Sequence, residues 1–586
     1  MPKPAASTNA QLAAIFHQMA DLTEVTGGNR FKVNAFAKVA RILENLTKDV
    51  AEVDRDLLPK LEGIGDGSAK RIGEFLDTGR IADHQALLDE VPEGLLKVMD
   101  VPGVGPKSAA VFWKEAGVES LDDLKAKLDT GELEALKGFG KKKIENIKKN
   151  LKFAATAGQR QRIGTAHALA TVFVEDLRGV PGVERIEYAG SLRRGKETIG
   201  DIDVLVACND DKKKAGIFDT FVEHPAVDEV ILRGETKASV HTHRDAGGMQ
   251  ADLRIVAPES FGAALMYFTG SKEHNVKMRE RAIDRGLSLN EYSLSRDGEP
   301  VAGETEEEVF AALDLAWVPP ELREDRGELA MAESDDLPTL LTVADVKAEL
   351  HTHTTASDGR WSIEDNARAA ADRGFHTVAI TDHSKGQAQA NGLSEERLVR
   401  HIEAVRQVAE KLKDTITVLA GSEVDILADG SLDYPDDLLA ELDWVVASPH
   451  AALSQDPAKA TKRLTKAIEN PYVHVVGHPT GRIINRREGL SPDMEALFRV
   501  AAEHGVALEI NASPYRLDLR DTHAHAFVHD HGGTLSINTD AHGPGDLDNL
   551  QFGVLTARRA GASKQDVVNC WSKTKLNKWI KSRRSG

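Results

Sequence analysis

The sequence predicts a multidomain protein with an α-helical N-terminal region, a central α+β part and a C-terminal (βα)7-type parallel barrel. A length of 586 residues allows several domains, each with its own hydrophobic core. Helical stretches interrupted by Gly-x-Gly loops fill residues 9–150, and alternating strand candidates follow from residue 159. Beyond residue 340, seven short apolar strand candidates alternate with helical stretches, which is the pattern of a parallel barrel.

The overall composition limits the possible functions. The formal net charge of −19, from 74 Lys+Arg against 93 Asp+Glu, argues against indiscriminate coating of nucleic acid but leaves room for a local basic track. The only cysteines, Cys208 and Cys570, provide no disulfide framework and no cysteine-type zinc cluster, which suits a reducing cytosol. Without a hydrophobic signal core or an apolar run of bilayer length, the chain is expected to be soluble and cytoplasmic.

Three Gly-x-Gly loops organise the N-terminal helical region, in residues 61–70, 99–109 and 136–144. The glycines permit a tight turn, and the N-terminus of the following helix presents free N–H groups to an anion such as a backbone phosphate. A single Gly-x-Gly would indicate only a loop. Three copies resemble helix-hairpin-helix modules, which bind DNA without reading its sequence. The predicted DNA contacts in these loops are Gly63, Gly65, Gly103, Gly105 and Lys107.

A carboxylate pair follows a glycine-rich turn in the central part. Residues 188–195 (Tyr-Ala-Gly-Ser-Leu-Arg-Arg-Gly) precede residues 200–206, in which Asp201 and Asp203 leave the same side of a predicted strand. Two carboxylates about 4 Å apart repel by roughly 4 kcal/mol at an effective dielectric of 20, which favours a bound cation. Although an isolated Asp-x-Asp could be a solvated strand end, the adjacent turn can bind a polyphosphate while the carboxylates hold Mg²⁺.

These motifs, with Asp252, residues 267–275 (Tyr-Phe-Thr-Gly-Ser-Lys-Glu-His-Asn) and residues 290–292 (Asn-Glu-Tyr), resemble an X-family DNA polymerase over residues 10–320. The resemblance implies a nucleotidyltransferase palm in which Mg²⁺ or Mn²⁺ is held by the catalytic carboxylates Asp201, Asp203 and Asp252. The implied nucleotide contacts are Ser191, Arg194, Tyr267, Phe268, Gly270 and Asn275, and Arg279 is implied to contact DNA on the template side.

Two positions depart from the family pattern. Arg71 stands where lyase-active members carry a Schiff-base lysine, and arginine stays protonated and cannot act as an amine nucleophile, so lyase activity would depend on Lys70. Gln250 stands two residues before Asp252, where eukaryotic relatives carry arginine. Weaker support for Asp252 is expected to slow the chemistry without abolishing it.

Metal-type ligands follow nearly every strand candidate of the C-terminal part, and the exception is the strand at residues 507–511. The nine candidate ligands are His351, His353, Asp358, His383, Glu423, His450, His478, Asp540 and His542. Side chains at the C-terminal ends of barrel strands converge on one mouth. A lone histidine would more often be a core or loop residue, but six histidines and three carboxylates at one structural place predict a metal centre.

This set, with its His-Thr-His, Thr-Asp-His, His-Pro and Asp-Ala-His motifs, resembles the polymerase-and-histidinol-phosphatase (PHP) domain. The resemblance implies three divalent metals, the first held by His351, His353, Glu423 and Asp540, the second by Glu423, His450 and His478, and the third by Asp358, His383 and His542. Ligands without thiolate suit Mn²⁺, Zn²⁺ or Fe²⁺ better than Mg²⁺ alone. Because the ligand set is complete, an active phosphoesterase is expected.

The domain boundaries follow from these motifs. We predict a helical DNA-binding domain at 1–85, helix-hairpin-helix fingers at 86–158, a palm at 159–260, a thumb-like nucleotide-binding domain at 261–318, a linker at 319–341 and a PHP domain at 342–586. The basic tail, residues 570–586, carries Trp571 and Trp579 and fits either a terminal helix that docks through its tryptophans or a DNA-contacting extension.

The hypothesis from the sequence is a bacterial-type X-family DNA polymerase that fills short gaps in base-excision-type repair and degrades or deblocks 3′ ends in its PHP domain. Gapped or nicked DNA and dNTPs are the expected partners of a monomeric enzyme without membrane contact. Three alternatives remain: a DNA-end-binding scaffold with a weak polymerase site, a PHP phosphatase acting on small molecules, and a nucleotidyltransferase acting on RNA or antibiotics.

Overall fold

The computed structural model describes residues 8–583, apart from residues 46–49, 61–63, 100, 102–103, 142, 146, 149–150 and 152–159. The chain divides into two compact units, one of Met1–Ala157 with Asn485–Arg487, the other of Gly158–Ile484 with Glu488–Gly586. None of the described helices combines the length and hydrophobicity needed to cross a bilayer.

Helices and the loops between them make up the described residues of the first unit. The helices include α1 (Thr8–Thr26), α2 (Arg30–Asn45), α3 (Asp66–Thr78), α4 (Ala82–Asp89), α5 (Leu95–Met99), α6 (Pro106–Ala116) and α7 (Leu121–Thr130). Apolar residues at helical spacing form two clusters, one centred on Phe16 and the other on Phe112. Local signals set the helix ends: Pro106 occupies the first turn of α6, Gly117 ends it with a φ of +67°, and Ser120 caps α7.

The second unit begins with the predicted palm. Its strands are β1 (Gln161–Arg162), β2 (Arg185–Tyr188), β3 (Thr198–Ile199), β4 (Asp201–Ala207), β5 (Val227–Arg233), β6 (Lys237–Thr242) and β7 (Gln250–Val256). Five of them form a mixed sheet in the order β2-β4-β7-β6-β5, in which β4 and β7 are parallel neighbours. The helices α8 (Ile163–Arg178), α9 (Gly190–Arg193) and α10 (Asp211–Val222) contribute to the hydrophobic cluster on this sheet.

A smaller α+β layer, at the position of the predicted thumb and named the thumb layer, follows the palm. Its elements are α11 (Phe261–Thr269), α12 (Lys272–Asp284), β8 (Ser288–Leu289), β9 (Leu294–Arg296), β10 (Glu299–Ala302), α13 (Glu306–Ala311) and α14 (Glu328–Ser334). The three strands form an antiparallel sheet in the order β10-β9-β8. Ser271 caps α12, and Thr305 forms a capping box at the start of α13, so short polar side chains mark both helix starts.

The segment 319–341, predicted as a linker, is packed against this layer as far as α14. Arg323 is fully buried and its NH1 lies 2.7 Å from Glu306 Oε1, while Glu328 Oε1 lies 2.7 Å from His274 Nδ1. Its prolines and acidic residues are the signals from which a linker was predicted. The buried charges are compensated by partners from other elements, which the local sequence does not reveal.

The remainder of the second unit is a parallel barrel. Its strands are β11 (Ala348–Thr352), β12 (Thr377–Ile380), β13 (Thr417–Asp425), β14 (Trp444–Ser448), β15 (Val475–Val476), β16 (Ala507–Asn511) and β17 (Leu535–Asn538). They pair in chain order, and a parallel bridge between Thr352 and Ala541 brings the first and last strands together. Helices pack around them: α15 (Ile363–Asp372), α16 (Glu395–Lys411), α17 (Asp436–Leu439), α18 (Pro457–Ile468), α19 (Met494–His504), α20 (Asp521–His529) and α21 (Leu550–Arg559). This confirms the predicted fold class.

The C-terminal helix α22 (Lys573–Arg583) docks on the barrel. Leu576 and Ile580 are buried in a cluster with the strand residue Trp444, and Trp579 lies 5.9 Å from Trp444 between ring centroids. Of the two possibilities open for the tail, the structure therefore shows the helix that docks through its tryptophans.

Candidate active sites

The three predicted palm carboxylates lie on two adjacent parallel strands. Asp201 and Asp203 are on β4, and Asp252 is on β7 as the direct register partner of Asp203. Because alternate residues of a strand share a face, the three side chains leave the sheet on the same side. The backbone therefore brings together residues that are far apart in sequence.

The electrostatics of this cluster call for a cation. Burial and the neighbouring carboxylates Asp201 and Asp252 raise the pKa of Asp203 to about 7. The start of α9 comes close to this pair: a Cβ on Gly190 would lie 2.3 Å from Asp203 Oδ2, and Gly190 has a φ of +64°, so only glycine fits there. These crowded carboxylates, adjoined by an open cleft, fit a divalent metal site.

Asp252 has support that the sequence did not predict. Gln250, which replaces the arginine of eukaryotic relatives, donates from Nε2 to Asp252 Oδ1 at 2.9 Å. Lys237 on β6 reaches the other oxygen, with Nζ 2.5 Å from Oδ2. Burial would raise the pKa of Asp252, but the hydrogen bonds from Lys237 and Gln250 lower it. Lys237 was missed because a lysine at the start of an edge hairpin has no local signature.

A cleft of about 900 Å³ opens beside Asp201 and Asp203. The predicted nucleotide and template contacts that line it are Ser191, Arg194, Tyr267, Phe268, Gly270, Asn275 and Arg279. Asn275 Nδ2 donates to the Tyr267 carbonyl at 2.6 Å, which fixes the end of α11 against α12. The structure thus collects this predicted set in one cavity.

The two adjacent arginines of the glycine-rich turn have different partners. Arg193 pairs with Glu306 at 2.7 Å and donates to Thr269 Oγ1 at 2.8 Å, so it ties α9 to the thumb layer. Arg194 lies in the cleft, where its Nε donates to Glu324 Oε1 at 3.0 Å. One arginine is therefore structural, and the other faces the cleft.

The nine predicted barrel ligands converge at the C-terminal ends of the strands. Within this set, three groups each have ligand atoms within 4.8 Å of one another: His351, His353 and Asp540; His383, Glu423 and His450; and His353, Asp358, His383 and His542. The ninth, His478, has its Nε2 2.9 Å from Glu423 Oε1. Glu423 is fully buried and is approached by imidazoles from several strands.

The unpaired atoms of this cluster fit divalent metals. Buried atoms without a hydrogen-bond partner among the described residues include His351 Nε2, both ring nitrogens of His353, both oxygens of Glu423 and Oδ1 of Asp540. Leaving so many buried donors and acceptors unsatisfied is costly unless a cation binds them. Burial, with His542 and His383 nearby, lowers the pKa of His353 to about 4, which keeps this imidazole in the neutral form that binds metals.

Two carboxylates behind the ligands were missed from the sequence. Glu509 on β16 accepts from His351 Nδ1 at 2.7 Å and from the His478 backbone N–H at 2.7 Å. Asp425 Oδ1 lies 2.6 Å from His450 Nδ1. Such partners fix the ring orientation of a metal-binding histidine. A glutamate inside the apolar strand 507–511 was the available signal for Glu509.

The predicted DNA contacts of the first unit are partly described. Gly65 and Gly105 precede α3 and α6 as their N-cap residues, and the Lys107 side chain is 76% exposed. Gly63 and Gly103 lie outside the described residues. Arg71 is engaged with Asp83 through Nε at 2.8 Å, whereas the adjacent Lys70 is exposed and lines a separate cleft.

Family models match almost the whole architecture. A helix-hairpin-helix domain matches residues 7–81, a SAM-like helix-hairpin-helix tandem 95–152, the DNA polymerase beta palm 165–247, the DNA polymerase beta thumb 264–324, and the PHP domain 349–513. Fold and sites thus define a polymerase beta-like nucleotidyltransferase joined to a PHP domain. Both domain types imply the use of divalent metals, and the polymerase part implies DNA and dNTPs as partners.

Three relatives support this classification. The DNA polymerase/3′-5′ exonuclease PolX of Bacillus subtilis (strain 168) is 38% identical over 95% of this chain and 96% of its own length. DNA polymerase lambda of Rattus norvegicus is 27% identical over 51% of this chain and 53% of its own length. A probable phosphatase of Thermoanaerobacter sp. (strain X514) is 29% identical over 38% of this chain and 89% of its own length. The chain belongs to the bacterial X-family DNA polymerases that carry a C-terminal PHP domain.

Proposed function

We propose that this protein fills short gaps in DNA with its polymerase part and removes 3′ nucleotides or 3′ blocking groups with its PHP domain, in repair of the base-excision type. The observation that carries the proposal is that one chain holds two complete and separate candidate centres for phosphoryl chemistry. Its similarity to the Bacillus polymerase/exonuclease along 95% of the chain supports the same pairing of activities.

In the palm, Asp201, Asp203 and Asp252 are proposed to hold two Mg²⁺ or Mn²⁺ ions. Divalent metals at such a site neutralise the phosphates and favour the in-line displacement. Ser191 and Arg194 would bind the triphosphate in the cleft.

Residues on α11 and α12 would position the rest of the nucleotide. Tyr267, Phe268 and Gly270 would pack against the sugar and exclude a 2′-hydroxyl, Asn275 would reach the base, and Arg279 would contact the template side. Their shared location in the cleft supports these roles.

In the barrel, the nine clustered ligands are proposed to hold three divalent metals, with Mn²⁺, Zn²⁺ or Fe²⁺ preferred over Mg²⁺ by the imidazole-rich set. Such metals activate water and bind phosphate oxygens. The chain's own contribution is to keep His353 neutral, to hold Glu423 at the centre of the cluster and to orient His351 through Glu509.

The helices of the first unit are proposed to hold gapped or nicked DNA by its backbone. Gly65 and Gly105 open helices whose N-termini can bind phosphates, and Lys107 adds an exposed positive charge. Gly63 and Gly103 belong to the same proposed loops.

The test separates the two centres on one substrate. A labelled primer at a one-nucleotide gap is incubated in Mn²⁺, with and without dNTPs. Asp203→Ala should abolish extension and spare shortening, and His353→Ala should do the reverse. Asp284→Ala and His504→Ala serve as matched controls because both side chains are exposed. If the wild type neither extends nor shortens the primer, the proposal fails and a DNA-end-binding scaffold takes its place.

A small-molecule phosphatase is the second candidate for the barrel. It is favoured by the similarity to the Thermoanaerobacter probable phosphatase, which covers 38% of this chain. The experiment compares the hydrolysis of a DNA 3′ end with that of histidinol phosphate, in the wild type and in His353→Ala. It decides between the exonuclease and the small-molecule phosphatase. Faster, His353-dependent turnover of histidinol phosphate would overturn the exonuclease assignment and leave the polymerase assignment intact.

A further inference from the structure

The barrel region contributes residues to the wall of the polymerase cleft. Four of the residues that line the cleft, Arg520, Asp521, Thr522 and Arg559, belong to this C-terminal part. Arg520 precedes α20, and Arg559 is the last residue of α21. The cavity that would receive the nucleotide is therefore shared between the palm, the thumb layer and the barrel.

Glu324 joins these parts through three cations. Arg194 Nε and Arg559 NH1 each lie 3.0 Å from Glu324 Oε1, and Lys196 Nζ lies 3.6 Å from Oε2. Burial would raise the pKa of Glu324, but Arg559, Arg194 and Lys196 together lower it, so this carboxylate stays ionised. The candidate triphosphate-binding arginine is thus paired with a carboxylate.

Arg559 is held firmly in this position. Its side chain is 3% exposed, its NH1 also donates to the Arg194 carbonyl at 2.7 Å, and its NH2 donates to Asp521 Oδ2 at 2.8 Å. Asp521 in turn lies 3.2 Å from Arg326 NH2. Arg559 is therefore held by partners from the palm, from the thumb layer and from its own part of the chain.

We infer that Arg559 of the PHP domain is a positioning residue for the incoming dNTP, because it holds Glu324 while Arg194 exchanges this carboxylate for the triphosphate. A triphosphate that binds Arg194 through Nε has to displace Glu324 from that nitrogen. Without Arg559, Glu324 would compete more strongly for Arg194 and would repel the phosphates. This inference rests on the proposed polymerase function and extends it, since it makes nucleotide binding depend on the C-terminal domain.

The test uses the full-length protein and steady-state filling of a one-nucleotide gap. Arg559→Met should raise the KM for dNTP by about tenfold, the value expected for the loss of a hydrogen bond between charged groups, and leave kcat little changed. Arg559→Lys should give an intermediate KM because it keeps the charge. Arg558→Met is the matched control. Arg558 is the neighbour of Arg559 on α21 and pairs with Glu321 at 2.7 Å, but it is not among the residues that line the cleft. It should leave the KM unchanged.

A double-mutant cycle with Glu324→Gln checks the route of the effect. Glu324→Gln alone should lower the KM for dNTP, since it frees Arg194, and Arg559→Met should add no further change in that background. Four outcomes would each overturn the inference. Two concern Arg559→Met itself: an unchanged KM for dNTP, or an effect confined to kcat. The others are an equal rise of KM in Arg558→Met and additive effects of Arg559→Met and Glu324→Gln on KM.

The wild type and the exonuclease reaction keep the outcomes separable. A wild type that extends primers preserves the proposed function even when the inference fails. Retained 3′ shortening and a cooperative melting transition show that a variant is folded. If Arg559→Met does not fold, Arg559→Lys and Glu324→Gln decide: unchanged KM values in both would refute the role.

Discussion

Glu509 offers a direct test of how the barrel orients its candidate metal ligands. Its two oxygens accept four hydrogen bonds: Oε1 accepts from His351 Nδ1 at 2.7 Å and Asn538 Nδ2 at 2.9 Å, and Oε2 accepts from the His478 backbone N–H at 2.7 Å and Asn511 Nδ2 at 3.4 Å. Two of these donors belong to candidate ligands. Glu509 itself lies in the middle of β16, whereas the predicted ligands lie at the C-terminal ends of the strands.

In Glu509→Gln, one oxygen becomes an NH₂ group. This group cannot accept, so either His351 or the backbone of His478 faces a donor in place of an acceptor. The site is fully buried, and water cannot replace the lost bond. Removing the carboxylate partner of a metal-binding histidine typically costs 10- to 100-fold in metal affinity or activity, or about 1.4–2.7 kcal/mol.

The assay measures Mn²⁺ affinity by chelator competition and 3′ shortening as a function of Mn²⁺ concentration. The control Glu503→Gln makes the same chemical change at an exposed position of α19. Glu509→Gln should shift the Mn²⁺ dependence of shortening to higher concentration and leave gap filling intact. An Mn²⁺ affinity equal to that of Glu503→Gln would refute the reasoning, because it would mean that His351 and His478 are oriented without Glu509.

Three further predictions follow from buried groups. Asp203→Asn should raise the melting temperature of the metal-free protein. Burial and two neighbouring carboxylates raise the folded-state pKa of Asp203 to about 7, so the wild type loses stability as pH rises from about 4 to about 7. The gain in melting temperature from Asp203→Asn should therefore grow over that pH range and then level off. A gain independent of pH, measured by calorimetry in chelator, would contradict this. Glu306→Gln leaves the buried Arg323 and the half-buried Arg193 less compensated and should lower the free energy of unfolding by about 3–5 kcal/mol. The change is read from urea-dependent hydrogen exchange in residues 306–334. Leu576→Ala should lower the stability of the barrel by about 2–5 kcal/mol without changing DNA affinity. A loss of DNA affinity without a loss of stability would instead support the interpretation of the tail as a DNA-contacting extension.

Local patterns in the sequence were sufficient for the architecture and for the candidate ligands. Histidines and acids directly after apolar strands, as at His383 and His450, are placed at one mouth by the parallel barrel itself. Asp252 lies in an apolar, alternating stretch typical of a strand, and the resemblance to X-family polymerases implies its place beside Asp201 and Asp203. In each case the relevant signal lies within a few residues of the chain.

What the sequence could not reveal are contacts between distant surfaces. Arg559 and Glu324 are 235 residues apart, and their pairing depends on how the barrel packs against the thumb layer. The same holds for the buried ion pair of Arg323 with Glu306, which packs a segment whose prolines and acidic residues predicted a linker. A charged residue has no local mark that distinguishes a solvated side chain from one compensated by a distant partner.

The packing of the palm against the barrel bears on how the two centres can cooperate. Ile484, Leu517 and Phe552 of the barrel region belong to the same hydrophobic cluster as the palm sheet, and Arg482, four residues after His478, pairs with Glu197 of the palm at 2.6 Å. Hydrophobic interfaces of this kind resist relative motion of the parts that they join. The palm and the barrel therefore form one body, and a primer end that passes from one centre to the other has to move across its surface. Since Arg559 lies in this interface, substitutions there should alter polymerase kinetics before they alter the metal cluster.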